Sequence, residues 1–261
     1  MDLKEKYKAE VQKHDNEGML HILVENFIQN FDFQSLNDLG VLLCDSDCNG
    51  VCISLSEKSS FELGKKMIKT SYFSHPDLKN AYALQMACLE KGCDYETVCS
   101  MENSAKKLNH CFILNNIACA KYYSGFLKDA LNLQKAALNA SGLENDNINQ
   151  TALKYNLFLY ELFSNITPKF KEQKAEFLTL LTSDRIFDYD AAMILAVYLD
   201  DREFVQKNFQ FYRKTFESLP SQELLIENYL YASEIPSISE ISKILKPLTV
   251  YESNFYLTAE G

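Results

Sequence analysis

The chain has 261 residues, 47% of them hydrophobic, with only eight glycines and five prolines. So little Gly and Pro argues against a turn-rich all-β fold and favours long helices. A formal charge of −10 argues against general binding to nucleic acid or to an anionic membrane, both of which need a cationic face. No apolar run reaches the ~18–20 residues of a membrane span. Residues 1–18 are charged throughout and lack the apolar centre of a signal peptide. These features give an expected location in the cytoplasm, with no membrane span and no nucleic-acid partner.

Residues 1–32 read as one or two capping helices. Leu20, Leu23, Val24, Phe27 and Ile28 form an apolar stripe, and Gly18 is the expected break. Residues 33–77 read as a helix pair with an insertion. Leu36, Leu39, Gly40 and Leu43 mark its first helix; Gly64, Ile68, Ser71 and Pro76 follow in its second. The insertion, about 45–58, is polar and is expected to be a surface loop. Residues 78–110 form a cleaner pair, with Ala81, Leu84 and Cys88 in one helix and Tyr95, Val98, Met101 and Ala105 in the next. Cys111–Glu144 is the most regular stretch. Leu114, Ile117 and Ala118, then Leu127, Ala130, Leu131, Ala137 and Leu138, follow the i, i+3, i+4, i+7 spacing of a one-sided helix. Gly125 stands at the turn between them. After Glu144 the spacing weakens. Helices are expected near 150–164, 168–182, 188–200, 202–218, 221–232 and 237–249, with Thr167-Pro168 as a helix start.

Counted from Cys111, the fourth, seventh, eighth, fifteenth, twentieth and twenty-seventh places hold Leu114, Ile117, Ala118, Gly125, Ala130 and Ala137. This stretch resembles a tetratricopeptide repeat, a helix–turn–helix unit of about 34 residues. Lys121, Gln134 and Gly142 depart from the pattern, which has aromatics at the first two places and proline at the third. The resemblance implies an all-α fold: a right-handed superhelical solenoid of antiparallel helix hairpins. It divides the chain into caps at 1–32, three repeats over 33–144, and degenerate helical repeats with a C-terminal cap over 145–261. One repeat cannot bury its own apolar face, so neighbours are required.

The resemblance also implies a concave groove lined by the first helix of each pair. The places that face it hold Asn37, Lys79, Tyr82, Phe112, Asn115, Asn116 and Tyr122, the candidate peptide-binding residues. Asn offers both a donor and an acceptor, which suits the backbone of an extended peptide. Asn116 matches an Asn of repeats that clamp a carboxylate, but the companion Lys and Asn of such clamps are missing. Residues 101–140 carry five lysines against Glu102 and Asp129, so an acidic chain has a basic middle. The expected partner is a protein or peptide, with an acidic or carboxylate group.

Within the insertion, Asp45, Asp47 and Asn49 precede Gly50 with the spacing of the first half of a calcium loop. Ser56 stands where the bidentate Glu belongs. Calcium binding is therefore an alternative reading. All eight cysteines lie between Cys44 and Cys119, with no C-x-x-C pair, and read as reduced thiols rather than a metal site. No catalytic or phosphate-loop motif is present. The expected function is a non-enzymatic scaffold or adaptor without cofactor that captures a peptide. A peptide-sensing regulatory protein is the alternative within the class, although residues 1–31 hold no evident DNA-binding segment.

Overall fold

The computed structural model describes residues 3–13, 15–44, 57–89, 93–142, 147–164, 193–215 and 220–249. Every regular element among these residues is an α-helix. They are α1 (Leu3–Lys13), α2 (Asn16–Asn30), α3 (Phe33–Cys44), α4 (Glu57–Ser74), α5 (Leu78–Leu89), α6 (Tyr95–Ser100), α7 (Glu102–Leu108), α8 (Cys111–Tyr123), α9 (Leu127–Ala137), α10 (Asn147–Phe163), α11 (Arg202–Thr215), α12 (Pro220–Ala232) and α13 (Ile238–Ile244). Residues 193–198 are also helical. The chain forms two compact units that meet in sequence at Ser124 and Gly125. The expected calcium ligands Asp45, Asp47 and Asn49, the helix at 168–182 and its Thr167-Pro168 start all lie outside the described residues.

Short polar side chains set the helix starts. Asp15 accepts from the Gly18 amide at 2.9 Å, Asp77 from Asn80 at 2.7 Å, and Asp94 from Thr97 at 3.1 Å. Each satisfies an amide that has no partner inside its own helix. Ser237 and Glu240 form a reciprocal capping box at α13. The break between α1 and α2 therefore falls at Asp15, not at the expected Gly18, which sits in the first turn of α2. The helix expected at 237–249 ends at Ile244. Leu245 is already extended (φ −75°, ψ 126°), and Pro247 would remove a helical amide.

In the first unit each helix packs on its neighbours. α2 lies against α1 and α3, α4 against α3 and α5, and α8 against α5, α6 and α7. The alternate helices also meet, α3 with α5 and α5 with α8, an arrangement compatible with a helical repeat. α3 and α4 approach closely where Gly40 faces Gly64. A Cβ on Gly64 would stand 2.5 Å from the Gly40 carbonyl oxygen, and one on Gly40 2.7 Å from that of Gly64. Around this crossing Ser60 donates to the Leu43 carbonyl (3.0 Å) and Ser71 to that of Phe33 (2.6 Å). The helix expected from Tyr95 is interrupted at Met101, yet Val98, Met101 and Ala105 are all fully buried.

Each departure from the repeat pattern has a structural account. Lys121 pairs with Glu102 at 2.9 Å and ties α8 to α7. Gln134 is fully buried and donates to the Leu153 carbonyl at 2.9 Å, tying α9 to α10. Gly142 has φ +93°, where a proline cannot go. Gly125 holds φ +83° in the turn between α8 and α9, as its place in the sequence predicts.

Among the described residues of the second unit a large apolar cluster brings several helices together. Tyr155, Phe158, Leu159 and Leu162 of α10 meet Met193–Val197, Val205 and Phe209 of α11, Ile226 and Tyr229 of α12, and Ile241 and Leu245. Arg202 donates to the Leu230 and Tyr229 carbonyls at 3.0 and 3.1 Å, which satisfies acceptors at the end of α12.

Candidate functional site

The seven residues selected from the sequence lie on α3, α5 and α8 of the first unit. Asn37 on α3 is fully buried; its Nδ2 donates to Asp38 Oδ1 at 3.2 Å, while its own Oδ1 has no partner. Lys79 on α5 reaches across to Asp38, at 2.8 Å from Oδ1 and 3.0 Å from Oδ2. Gln34 also donates to Asp38 Oδ1, at 3.0 Å. Asp38 thus joins Asn37 and Lys79 across the α3–α5 seam. The Lys79 side chain is 34% exposed and that of Asp38 21%, so this pair is open to solvent and is worth at most about 1 kcal/mol to stability.

Tyr82 and Phe112 come together through His110. The Tyr82 hydroxyl lies 2.8 Å from His110 Nδ1, and both rings meet the imidazole edge to face, with centroids 5.5 and 5.4 Å away. Burial holds the His110 pKa below its ordinary value, because the charged imidazolium loses hydration there. Nothing in the spacing of the four histidines signals this partnership, since Tyr82 and His110 are 28 residues apart.

Asn115 and Asn116 are fully buried on α8. Asn115 donates to Asn116 Oδ1 at 3.3 Å; Asn116 donates to Gln85 Oε1 at 2.9 Å; Gln85 Nε2 donates to the Ile113 carbonyl at 2.9 Å. The chain Asn115–Asn116–Gln85 crosses the α5–α8 seam inside the protein. Tyr122 stands apart at the end of α8, half-buried and edge to face with Tyr123, which stacks on Tyr95 at 4.9 Å. Burial raises the pKa of both Tyr122 and Tyr123, so both stay neutral hydroxyls at neutral pH.

The α3, α5 and α8 helices therefore carry four polar or aromatic clusters, and the Asp38–Lys79 pair is an accessible charged one. Gln85 and His110 are members that the sequence did not single out. Among the described residues no group of three or more His, Cys, Asp or Glu is placed to hold a metal ion. No helix among them is long and apolar enough to cross a membrane. Cys88 is fully buried, and burial pushes its thiol up to about 12, which disfavours the thiolate. No protein family, no curated protein and no solved structure matches the chain.

Proposed function

We propose that this protein is a non-enzymatic scaffold of the cytoplasm that captures a peptide segment of a partner on its α3–α5–α8 face. In this reading the helix pairs stack as a right-handed tetratricopeptide-like solenoid, and α3, α5 and α8 are the groove-lining first helices. The packing of α3 on α5 and of α5 on α8 supports it. The observation that carries the reading is the α3–α5 seam. Asn37 Oδ1 is buried without a partner, on a side chain that shares Asp38 with the part-exposed Lys79. An unpaired buried acceptor costs about 1–3 kcal/mol, and a peptide amide would relieve it once the side chains that cover Asn37 move aside. A carboxylate on the same peptide would compete with Asp38 for Lys79.

The test is selection from a displayed library of acidic peptides on the wild-type chain. Enriched peptides should bind Lys79→Glu at least tenfold more weakly, with unchanged melting, and should bind more weakly as salt rises. A library that yields no binder, or binders indifferent to Lys79, removes this reading.

A further inference from the structure

A second carboxamide does what the sequence expected of a groove asparagine. Asn156 on α10 is fully buried, and its side chain spans the backbone of Leu248. The Leu248 amide donates to Asn156 Oδ1 at 2.7 Å, and Asn156 Nδ2 donates to the Leu248 carbonyl at 2.7 Å. The neighbouring Tyr155 hydroxyl donates to the Lys246 carbonyl at 3.3 Å. All three bonds go to main-chain atoms. Residues 245–249 follow α13 with no regular structure of their own. Leu245 and Pro247 are buried, Leu248 packs against the apolar cluster, and Lys246 and Thr249 point outward.

A carboxamide that takes one residue's N–H and C=O together is indifferent to that residue's side chain. Any extended L-peptide presents the same donor and acceptor. Selectivity then comes from the burial of Leu245 and Pro247 and the packing of Leu248 against the apolar cluster. We propose that Asn156 and Tyr155 form a peptide-backbone site on α10, which takes extended peptides of the pattern apolar–x–Pro–apolar, and that residues 245–249 occupy it in cis as a displaceable strap. The inference shares its ligand class with the scaffold reading but uses a different face, in the second unit. It also gives peptide sensing a physical form, because a peptide in trans must displace the strap. A tethered strap acts as a competitor at millimolar effective concentration, so the wild-type chain binds such peptides weakly until the strap opens.

The probe is a fluorescein-labelled peptide with the sequence of residues 243–250, Lys-Ile-Leu-Lys-Pro-Leu-Thr-Val, titrated into the full chain. Leu248→Pro removes the amide that Asn156 accepts and weakens the strap. That variant should bind the probe at least tenfold more tightly than wild type. Asn156→Leu in the same background should lose the gain, and a probe carrying proline at the Leu248 place should not bind. A folded Leu248→Pro chain that binds the probe no better than wild type overturns the proposal. Hydrogen exchange on the wild-type chain gives an independent reading should Leu248→Pro fail to fold. The Leu248 amide should exchange by local opening, well before the amides of Val205 and Tyr229 in the core of the same unit. Exchange of all three in step means that the strap does not open, and the proposal falls. Lys79→Glu separates the two faces. It should leave probe binding unchanged, whereas probe binding that depends on Lys79 and not on Leu248 defeats the strap site and leaves the α3–α5 reading standing.

Discussion

Gly64→Ala separates helix propensity from helix packing by the sign of its effect. In an exposed helix interior the change should stabilise by about 1 kcal/mol, because alanine loses less backbone entropy. Here the new methyl would lie 2.5 Å from the Gly40 carbonyl oxygen, 2.8 Å from Cys44 Sγ and 3.0 Å from the Cys44 nitrogen. Ordinary contact begins near 3.4 Å, so α3 must retreat by about 0.9 Å. Two of the three obstacles are backbone atoms and cannot rotate away. Overpacking costs about 1–3 kcal/mol, and a backbone-to-backbone clash belongs at the upper end. Less the propensity gain, the net loss is about 2 kcal/mol. For a chain of this size that lowers the melting temperature by about 4–8 °C, read by far-UV circular dichroism. Gly18→Ala is the control: its nearest obstacles are the side chains of Asp15 and Glu10, at 3.0 Å, which can shift. Its melting should stay level or rise. A Gly64→Ala chain that melts at or above wild type would show that α3 and α4 are not held at this distance.

Two further outcomes follow from buried polar groups. Asn116→Ala leaves Gln85 Oε1 without the donor that now reaches it at 2.9 Å. The expected cost is about 1–3 kcal/mol, and Gln85→Met together with Asn116→Leu should recover much of it; urea denaturation of the single and double variants checks both, and an unchanged midpoint for Asn116→Ala refutes the tie. His110 has its pKa lowered by burial, so as pH falls below the ordinary value of about 6.5 the unfolded chain takes up the proton first. Stability should therefore drop from neutral pH toward pH 5, and His110→Asn should flatten that slope; equal slopes in urea unfolding would rule His110 out as a cause.

The helical class was legible because it rests on local quantities: few glycines and prolines, one-sided spacing, and Gly125 at a turn. The buried positions Val98, Met101 and Ala105 were legible for the same reason, even though Met101 interrupts their helix. Gly40 and Gly64 were marked by place alone; that they face each other is a tertiary fact. The candidate site was legible as residue types and not as partners. Lys79 is legible as an exposed cation, but its pairing with Asp38 across the α3–α5 seam is not. His110 had no visible partner because Tyr82 is far off in sequence. Asn156 was passed over, although an asparagine amid Tyr155, Leu157 and Phe158 is itself a signal. A carboxamide buried in an apolar run must find hydrogen bonds, and only the fold says where.

That requirement bears on how neighbouring helices of this chain are held together. In an ordinary hairpin array, aromatic and small side chains at fixed places set the distance between helices. Here carboxamides do part of that work. Gln134 stands at an aromatic place and ties α9 to α10 through the Leu153 carbonyl. Gln85 ties α5 to α8 through the Ile113 carbonyl and accepts from Asn116. Asn156 ties α10 to the strap through Leu248. The bonds to Leu153, Ile113 and Leu248 end on main-chain atoms, so they place no demand on the side chain opposite. A seam held this way can change its apolar residues freely as long as volume is kept. The same property makes Asn156 suited to a second partner, because what it grips in the strap is present in every extended peptide.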